Sequence, residues 1–533
     1  MHRRKFLRII SALTAGSSML PSCRRSLVKG RIVGASAEVG HLLRHKDFGE
    51  PVTIIEKDCI ILGAGVSGLS AARRLYQSGR KDLLVLELEK AVGGNSCSGG
   101  NELSPYPWGA HYVPVPNNNL TEYLDFLEEC GAIEGISPGG LPVYNELYLC
   151  FDPQERLFIN GRWQEGLVPE YGLQEEDKNQ VRNFLSLMDS FRHLRGADGR
   201  DVFAIPVDDS SKDPEWIQLD TITMEQWLKE KRWTSPYLLW YVDYCCRDDY
   251  GTAIDRVSAW AAIHYFASRK GAGTNARGHD VLTWPEGNSW LVQHLKKEFN
   301  DRILTQSLAV SVRQENEIVV VDYFDVANGI LKRVKAKHCI MALPQFIAGR
   351  LLHDVQRTAL VKQHLQYVPW MVANLKVGKL TERSGAPPSW DNVLYGNRSL
   401  GYVVATHEQL QQPSAKRNLT YYLPLTHNTP VAERNAAHER TYEQWRDIVL
   451  EDLTRIHPDL ETSLEQLDIM IWGHAMVQPL PGMIHGSIRK RLAETSSDRI
   501  HFAHTDLAGI SIFEEAFYQG VRAANKVLSA GHM

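Results

Sequence analysis

The spacing of apolar residues changes several times along the chain, and each change marks an element. Cys59-Ile60-Ile61-Leu62 and Leu83-Leu84-Val85-Leu86 are unbroken apolar runs, as in strands buried on both faces. Between them, residues 69–75 read as a helix of small and straight-chain residues, and Gly79 ends it. Similar apolar runs predict strands at Ile303-Leu304, 307–312, 318–321 and 339–343. Helical spacing predicts helices over 120–127, 175–194, 224–244 and 289–298. Residues 148–151 and 156–159 flank Asp152-Pro153 and predict a hairpin, with Asn160-Gly161 starting the next turn. Further strands are predicted at 371–377, 400–405 and 419–425. Alternation of strand, helix and strand at the start predicts an α/β fold.

The first turn carries chemistry. Gly63-Ala64-Gly65-Val66-Ser67-Gly68 joins the first strand to the helix as G-x-G-x-x-G, and Glu87 closes the second strand. Gly63 permits a tight turn, Gly65 admits a pyrophosphate to the backbone, and Gly68 lets helix and strand pack closely. Val66 and Ser67 sit at the helix start, where free N–H groups and a positive dipole end favour phosphate. Glu87 is placed to accept hydrogen bonds from a ribose. This is a dinucleotide-binding unit.

Length and composition narrow the rest. The 533-residue chain has room for more than one folding unit. A formal net charge of -4 gives no reason to expect nucleic acid as a partner. The eight cysteines include no C-x-x-C pair, so no metal site is expected. The neighbours Cys245 and Cys246 read as two partly buried thiols rather than a redox pair. Beyond the N-terminus no apolar run is long enough to span a membrane.

Arg3-Arg4-Lys5-Phe6-Leu7 followed by a moderately apolar stretch resembles a twin-arginine export signal over residues 1–23. Leu20-Pro21-Ser22-Cys23 resembles a lipobox, with Cys23 as the lipidated residue; the alternative is cleavage elsewhere, leaving a soluble periplasmic protein. Expected partners are therefore the export machinery and a small-molecule substrate, and the only expected membrane link is a lipid on Cys23. Residues 24–52 are expected to be a leader linker.

Gly93-Gly94-Asn95 follows the dinucleotide unit, and the ensemble resembles the opening of the FAD-dependent amine oxidase and phytoene-desaturase-like flavoproteins. The family has Arg, a phosphate contact, where this chain has Asn95. Three more segments are similar to family landmarks: Trp108-Gly109-Ala110-His111 beside the flavin, Ala342-Leu343-Pro344 after a strand, and Trp472-Gly473-His474-Ala475. Phe502-Ala503-His504-Thr505-Asp506 resembles the strand whose acidic residue contacts the cofactor. Phe513-Glu514-Glu515-Ala516 resembles the helix start aimed at the flavin, with Glu515 replacing a small Gly.

The resemblance implies a Rossmann-like FAD-binding domain of the two-dinucleotide-binding-domain type, with an α+β substrate domain inserted. It places the FAD domain at 53–118, 281–348 and 482–533, and the substrate domain at 119–280 and 349–481. FAD is expected to be non-covalent, because the family's flavin-linking Cys has no counterpart. Implied cofactor residues are Gly63, Gly65, Val66, Ser67, Gly68, Glu87, Gly93, Gly94, Asn95, Gly109, Ala110, Asp506, Phe513 and Glu514. Candidates for catalysis are His111, Lys376, Trp472 and His474, the lysine because many relatives place one against the flavin. The expected reaction is hydride removal from an amine or polyamine C–N bond to FAD, the imine then being hydrolysed. Desaturation or isomerisation of an apolar C–C substrate and a non-catalytic FAD-bound protein remain open as alternatives.

Overall fold

The computed structural model describes residues 28–44, 46–407, 415–495 and 497–530. The twin-arginine stretch and Cys23 lie outside the described residues.

Two sheets organise the chain. In the first, Ile54–Leu62 runs parallel between Leu83–Leu86 and Ile330–Met341. Cys59, Ile60, Ile61 and Leu62 are fully covered, which explains why this strand is apolar without alternation. Ile303–Leu304 extends the parallel part on one side, and Ile500–Phe502 pairs parallel with the end of Ile330–Met341. Ile318–Asp325 and Ser307–Glu315 complete the sheet antiparallel. The helices Val66–Gln77 and Phe513–Ala530 cross closely; a Cβ on Gly520 would lie 2.1 Å from the Ser67 carbonyl oxygen. Glycine is what allows that approach.

The second sheet has eight strands. Its order is Lys29–Gly34, Leu464–Val477, Tyr367–Val377, Arg417–Pro424, Tyr402–Val404, Asp391–Leu394, Glu155–Ile159 and Arg162–Glu165. The edge strand Lys29–Gly34 corrects the expected linker over 24–52. It pairs parallel with Leu464–Val477, Lys29 opposite Gln466 and Gly34 opposite Ile471. Only Val33 of this strand is even half-buried, so no apolar pattern could announce it. Its backbone instead covers an open sheet edge. The chain then turns through Ala37–His41 and Leu42–Arg44, and Val39, Leu42 and Leu43 pack against Leu308, Phe324 and Leu331 of the first sheet.

Two local expectations are also corrected. The hairpin joins Glu155–Ile159 to Arg162–Glu165 around Asn160-Gly161, and residues 148–151 form no strand in it. Asn160 and Gly161 both have positive φ, 50° and 81°, as a two-residue hairpin turn requires. The helix expected over 224–244 is two helices, Met224–Glu230 and Pro236–Tyr250. Pro236 cannot continue a helix but opens one well, at its first position. Among the described residues, no helix is long and apolar enough to cross a membrane, and no group of three His, Cys, Asp or Glu could hold a metal ion.

Candidate cofactor and active site

Gly63 leaves the strand Ile54–Leu62 with φ +95°, and a Cβ there would lie 2.5 Å from the Ala342 carbonyl oxygen. A Cβ on Gly68 would lie 1.9 Å from the Gly63 carbonyl oxygen. These two glycines close the turn. Gly65 differs: a Cβ there would meet no protein atom within 4 Å, because Gly65 faces a cavity of about 1710 Å3. The helix Val66–Gln77 starts at that point with no side-chain cap, so its first N–H groups are free toward the cavity. Gly93 and Gly94, at φ 118° and 56°, form a second turn, and Gly93 bridges to Gly65. Two glycine backbones and a bare helix start thus share one wall, an arrangement that suits a pyrophosphate.

Glu87 lines the same cavity. Its carboxylate accepts from the Ala64 N–H at 2.7 Å and the Glu89 N–H at 2.9 Å. Burial pushes its pKa up to about 6 against these donors. Asn95 turns its side chain away from the role of the family's Arg and donates to the Ala475 carbonyl at 2.5 Å. Gly109 is held by packing, since a Cβ would come within 2.3 Å of the Asn95 carbonyl oxygen; Ala110 donates to that oxygen at 2.8 Å and lines the cavity.

At the other end, Asp506 and Phe513 line the cavity. Burial would raise the Asp506 pKa, but His504, the Gln345 N–H at 2.8 Å and the Tyr367 hydroxyl at 2.6 Å hold it below the usual range. Its carboxylate therefore braces the chain after Pro344. Glu514 is not on the cavity wall. It is buried and pairs with Arg269 at 2.8 Å. Glu515 is fully buried as well, accepts from the Val207 N–H at 2.5 Å, and is pushed up to about 7 by burial.

The four catalytic candidates separate. Lys376 sits away from the cavity, its ammonium ion-paired with Glu102 and with Glu465. On its strand Lys376 shares a face with Val372 and Asn374, the latter donating to the Pro107 carbonyl at 2.9 Å, but its ammonium is held by the two carboxylates. Trp472 and His474 both line the cavity; the Trp472 Nε1–H donates to the Trp108 carbonyl at 2.6 Å, and His474 stacks on Phe346 at 4.5 Å. His111 lies one residue beyond the cavity wall, stacked on Tyr422 at 4.6 Å and 5.5 Å from Trp390. Burial brings its pKa down to about 4, so the ring is neutral at neutral pH.

Next to His111 is a feature that no motif marked. Tyr112 reaches Asp248, and Asp249, Asp391 and Glu155 lie close enough to act on one another electrostatically. Asp391 and Glu155 are direct neighbours on parallel strands. Burial, then the Asp249 charge, raises Asp248 to about 7; burial raises Asp249 to about 6, and Asp391 rises well above its ordinary value. All four carboxyls of this cluster keep some exposed surface, and burial is the first cause of the rise in each. Tyr244, Trp390 and Tyr422 border the cluster. Tyr244 was visible in sequence as part of an aromatic-rich helix; the carboxyls come from segments about 90 to 140 residues apart, and no spacing rule joins them.

Residues 66–528 match the model of the family described as flavin containing amine oxidoreductase. Among curated proteins, an L-amino acid dehydrogenase of Synechocystis sp. is 26% identical over 321 residues, 58% of this chain and 61% of that protein. The flavin-containing amine oxidase B of Sus scrofa is 25% identical over 311 residues, 56% of this chain and 52% of that protein. The chain thus spans little more than half the length of these relatives. Among solved structures, a putrescine oxidase variant superposes with a TM-score of 0.65 at 16% identity, covering 89% of this chain and 100% of that one. That likeness shows the fold: a Rossmann-like FAD-binding domain joined to a substrate-binding domain. With the family model matching most of its length, the chain belongs to the flavin-containing amine oxidoreductases, whose cofactor is FAD.

Proposed function

We propose that this protein is an FAD-dependent oxidoreductase acting on the C–N bond of an amine or polyamine. The observation that carries this reading is the cluster of Tyr112, Tyr244, Trp390 and Tyr422 with the carboxyls of Asp248, Asp249, Asp391 and Glu155. Carboxyls among electron-rich rings favour a cationic guest. Arg269, the buried cation nearby, is already paired with Glu514 and offers little to a substrate carboxylate.

The glycine turns at Gly63–Gly68 and Gly93-Gly94, the helix start at Val66 and Ser67, and Glu87 would hold FAD. When bound, FAD supplies a two-electron acceptor for hydride. The acidic wall draws in and orients the charged part of the amine. The aromatic walls exclude water, which favours the neutral nitrogen whose lone pair must assist hydride loss from the adjacent carbon. Water then hydrolyses the released imine, and the electrons leave to oxygen or another acceptor. The test is the visible flavin spectrum during anaerobic addition of amines, polyamines and L-amino acids. Bleaching by amines or polyamines and not by amino acids is expected, with Asp248→Asn and Asp391→Asn raising KM. Reduction only by an unsaturated apolar compound, or by no donor, would reject the reading in favour of C–C chemistry or a non-catalytic role.

We also propose export. The basis is Arg3-Arg4 ahead of the apolar stretch, with Cys23 as a lipid attachment point. Replacing Arg3 and Arg4 by Lys should retain the protein in the cytoplasm, and Cys23→Ser should release it from the membrane fraction. An unchanged distribution for the arginine variant would reject the address.

A further inference from the structure

Asn95 leaves the second glycine turn without a charge, yet basic residues line the cavity beside it. Arg434, His438, His474, His41 and Arg44 all line it. They come from three separate segments: the helix Pro430–Glu439, the end of the strand Leu464–Val477, and the N-terminal turn 37–44.

Their placement is anchored. Asn95 is bonded to Ala475, the neighbour of His474. Arg434 Nε donates to the Gly473 carbonyl at 2.9 Å and Nη2 to the Tyr367 carbonyl at 3.4 Å; Nη1 has no protein acceptor among the described residues. His438 Nε2 would lie 3.8 Å from a Cβ on Gly473. The N-terminal turn is tied down through Ser36, whose N–H and hydroxyl both donate to the Glu89 carboxylate at 2.7 Å, and by Arg350, which donates to the Leu43 carbonyl at 3.3 Å. His474 registers the result: burial, then Arg434, His41, His438 and Arg44, push its pKa down to about 3. Three of the carboxylates on the cavity wall are occupied, Glu87 by backbone amides, Glu89 by Ser36 and Asp506 by Gln345 and Tyr367; the fourth, Glu38, is on the exposed turn itself. The two arginines and three histidines converge with no acidic group set among them that would satisfy Arg434.

We propose that Arg434 and Arg44 supply the counter-charge to the FAD pyrophosphate that the family takes from the Arg of its glycine turn, with the three histidine rings beside them as hydrogen-bonding groups, and that the N-terminal segment thereby serves as a cofactor clasp. This rests on the FAD reading above. Charge moved from the turn to a helix and to the first described segment would make cofactor retention depend on that segment staying docked.

The test is calorimetric titration of deflavinated full-length protein with FAD at several salt concentrations. Arg434→Gln and Arg44→Gln should each weaken FAD, the double variant by about tenfold or more, with a shallower salt dependence. Adding Asn95→Arg to the double variant should restore most of the affinity, which no merely structural loss would allow. Arg44 and His438 are exposed, so R44Q/H438Q carries the same test if Arg434→Gln fails to fold. FAD affinity within about twofold of wild type in these variants, or a loss that Asn95→Arg does not repair and that keeps the full salt slope, would overturn the proposal. Wild-type apoprotein that binds no FAD at all would overturn the cofactor reading itself.

Discussion

Arg269 Nη1 lies 2.8 Å from Glu514 Oε1, a buried ion pair that fastens the segment after Ala259–Ala267 to the first turn of Phe513–Ala530. Glu514 is only 1% exposed. An acid at a helix N-terminus is favourable, but burying it without a cation is not. Arg269→Met should cost about 3–5 kcal/mol of stability. Thermal unfolding in excess FAD measures it; an unchanged melting temperature would contradict the desolvated pair.

Two glycines of the first turn should respond differently to the same added methyl. At Gly68 it meets the Gly63 carbonyl oxygen, so Gly68→Ala should lower the stability of the apoprotein and yield flavin-free protein. At Gly65 the methyl points into open cavity at an ordinary φ of -73°, so Gly65→Ala should leave apoprotein melting near wild type and weaken FAD. Equal melting losses for both variants would mean that Gly65 does not face the cofactor.

Lys376 is the residue for which family analogy and geometry part. Its ammonium pairs with Glu102 and Glu465 near the end of the strand Tyr367–Val377. Lys376→Met should leave substrate-dependent flavin reduction unchanged and alter stability only modestly, because both carboxylate partners stay largely in water. A large drop in the reduction rate, with the protein still folded, would return Lys376 to the chemistry.

The acidic space sets a pH dependence. Asp248 and Asp249 titrate near 7 and 6 in the folded protein, above the ordinary carboxyl value of 3.8. The folded state therefore holds more protons than the unfolded one between about pH 4 and 7, and stability falls as pH rises through that window. Asp248→Asn should flatten the fall in urea unfolding of the apoprotein. A cationic amine should restore most stability at the upper end, where the carboxylates are ionised. A profile that rises across this window would place these groups in water.

Motif and pattern located the first sheet's parallel centre, the glycine turns and Glu87 because each depends on residues close in sequence. Asn95, Asp506 and Glu514 were located in the chain but not in their contacts, because those partners, Ala475, Tyr367 and Arg269, lie far away in sequence. The aromatic and acidic space was beyond reach for the same reason. Lys29–Gly34 was invisible for a different one: it is held by backbone bonds, and its side chains carry no burial signal. Pro236 and Asn160-Gly161 were legible and outweighed by smoother periodicity and by Asp152-Pro153.

Lys29–Gly34 is the first strand described in the chain, and the strand it joins, Leu464–Val477, is close to the last. During synthesis its partner does not exist until most of the protein has left the ribosome. The wall formed by Ile32 to Arg44 is consequently added late, after the glycine turns and both strands around them are available. Emergence of Leu464–Val477, and not of the glycine turns, therefore sets when this side of the cavity can close.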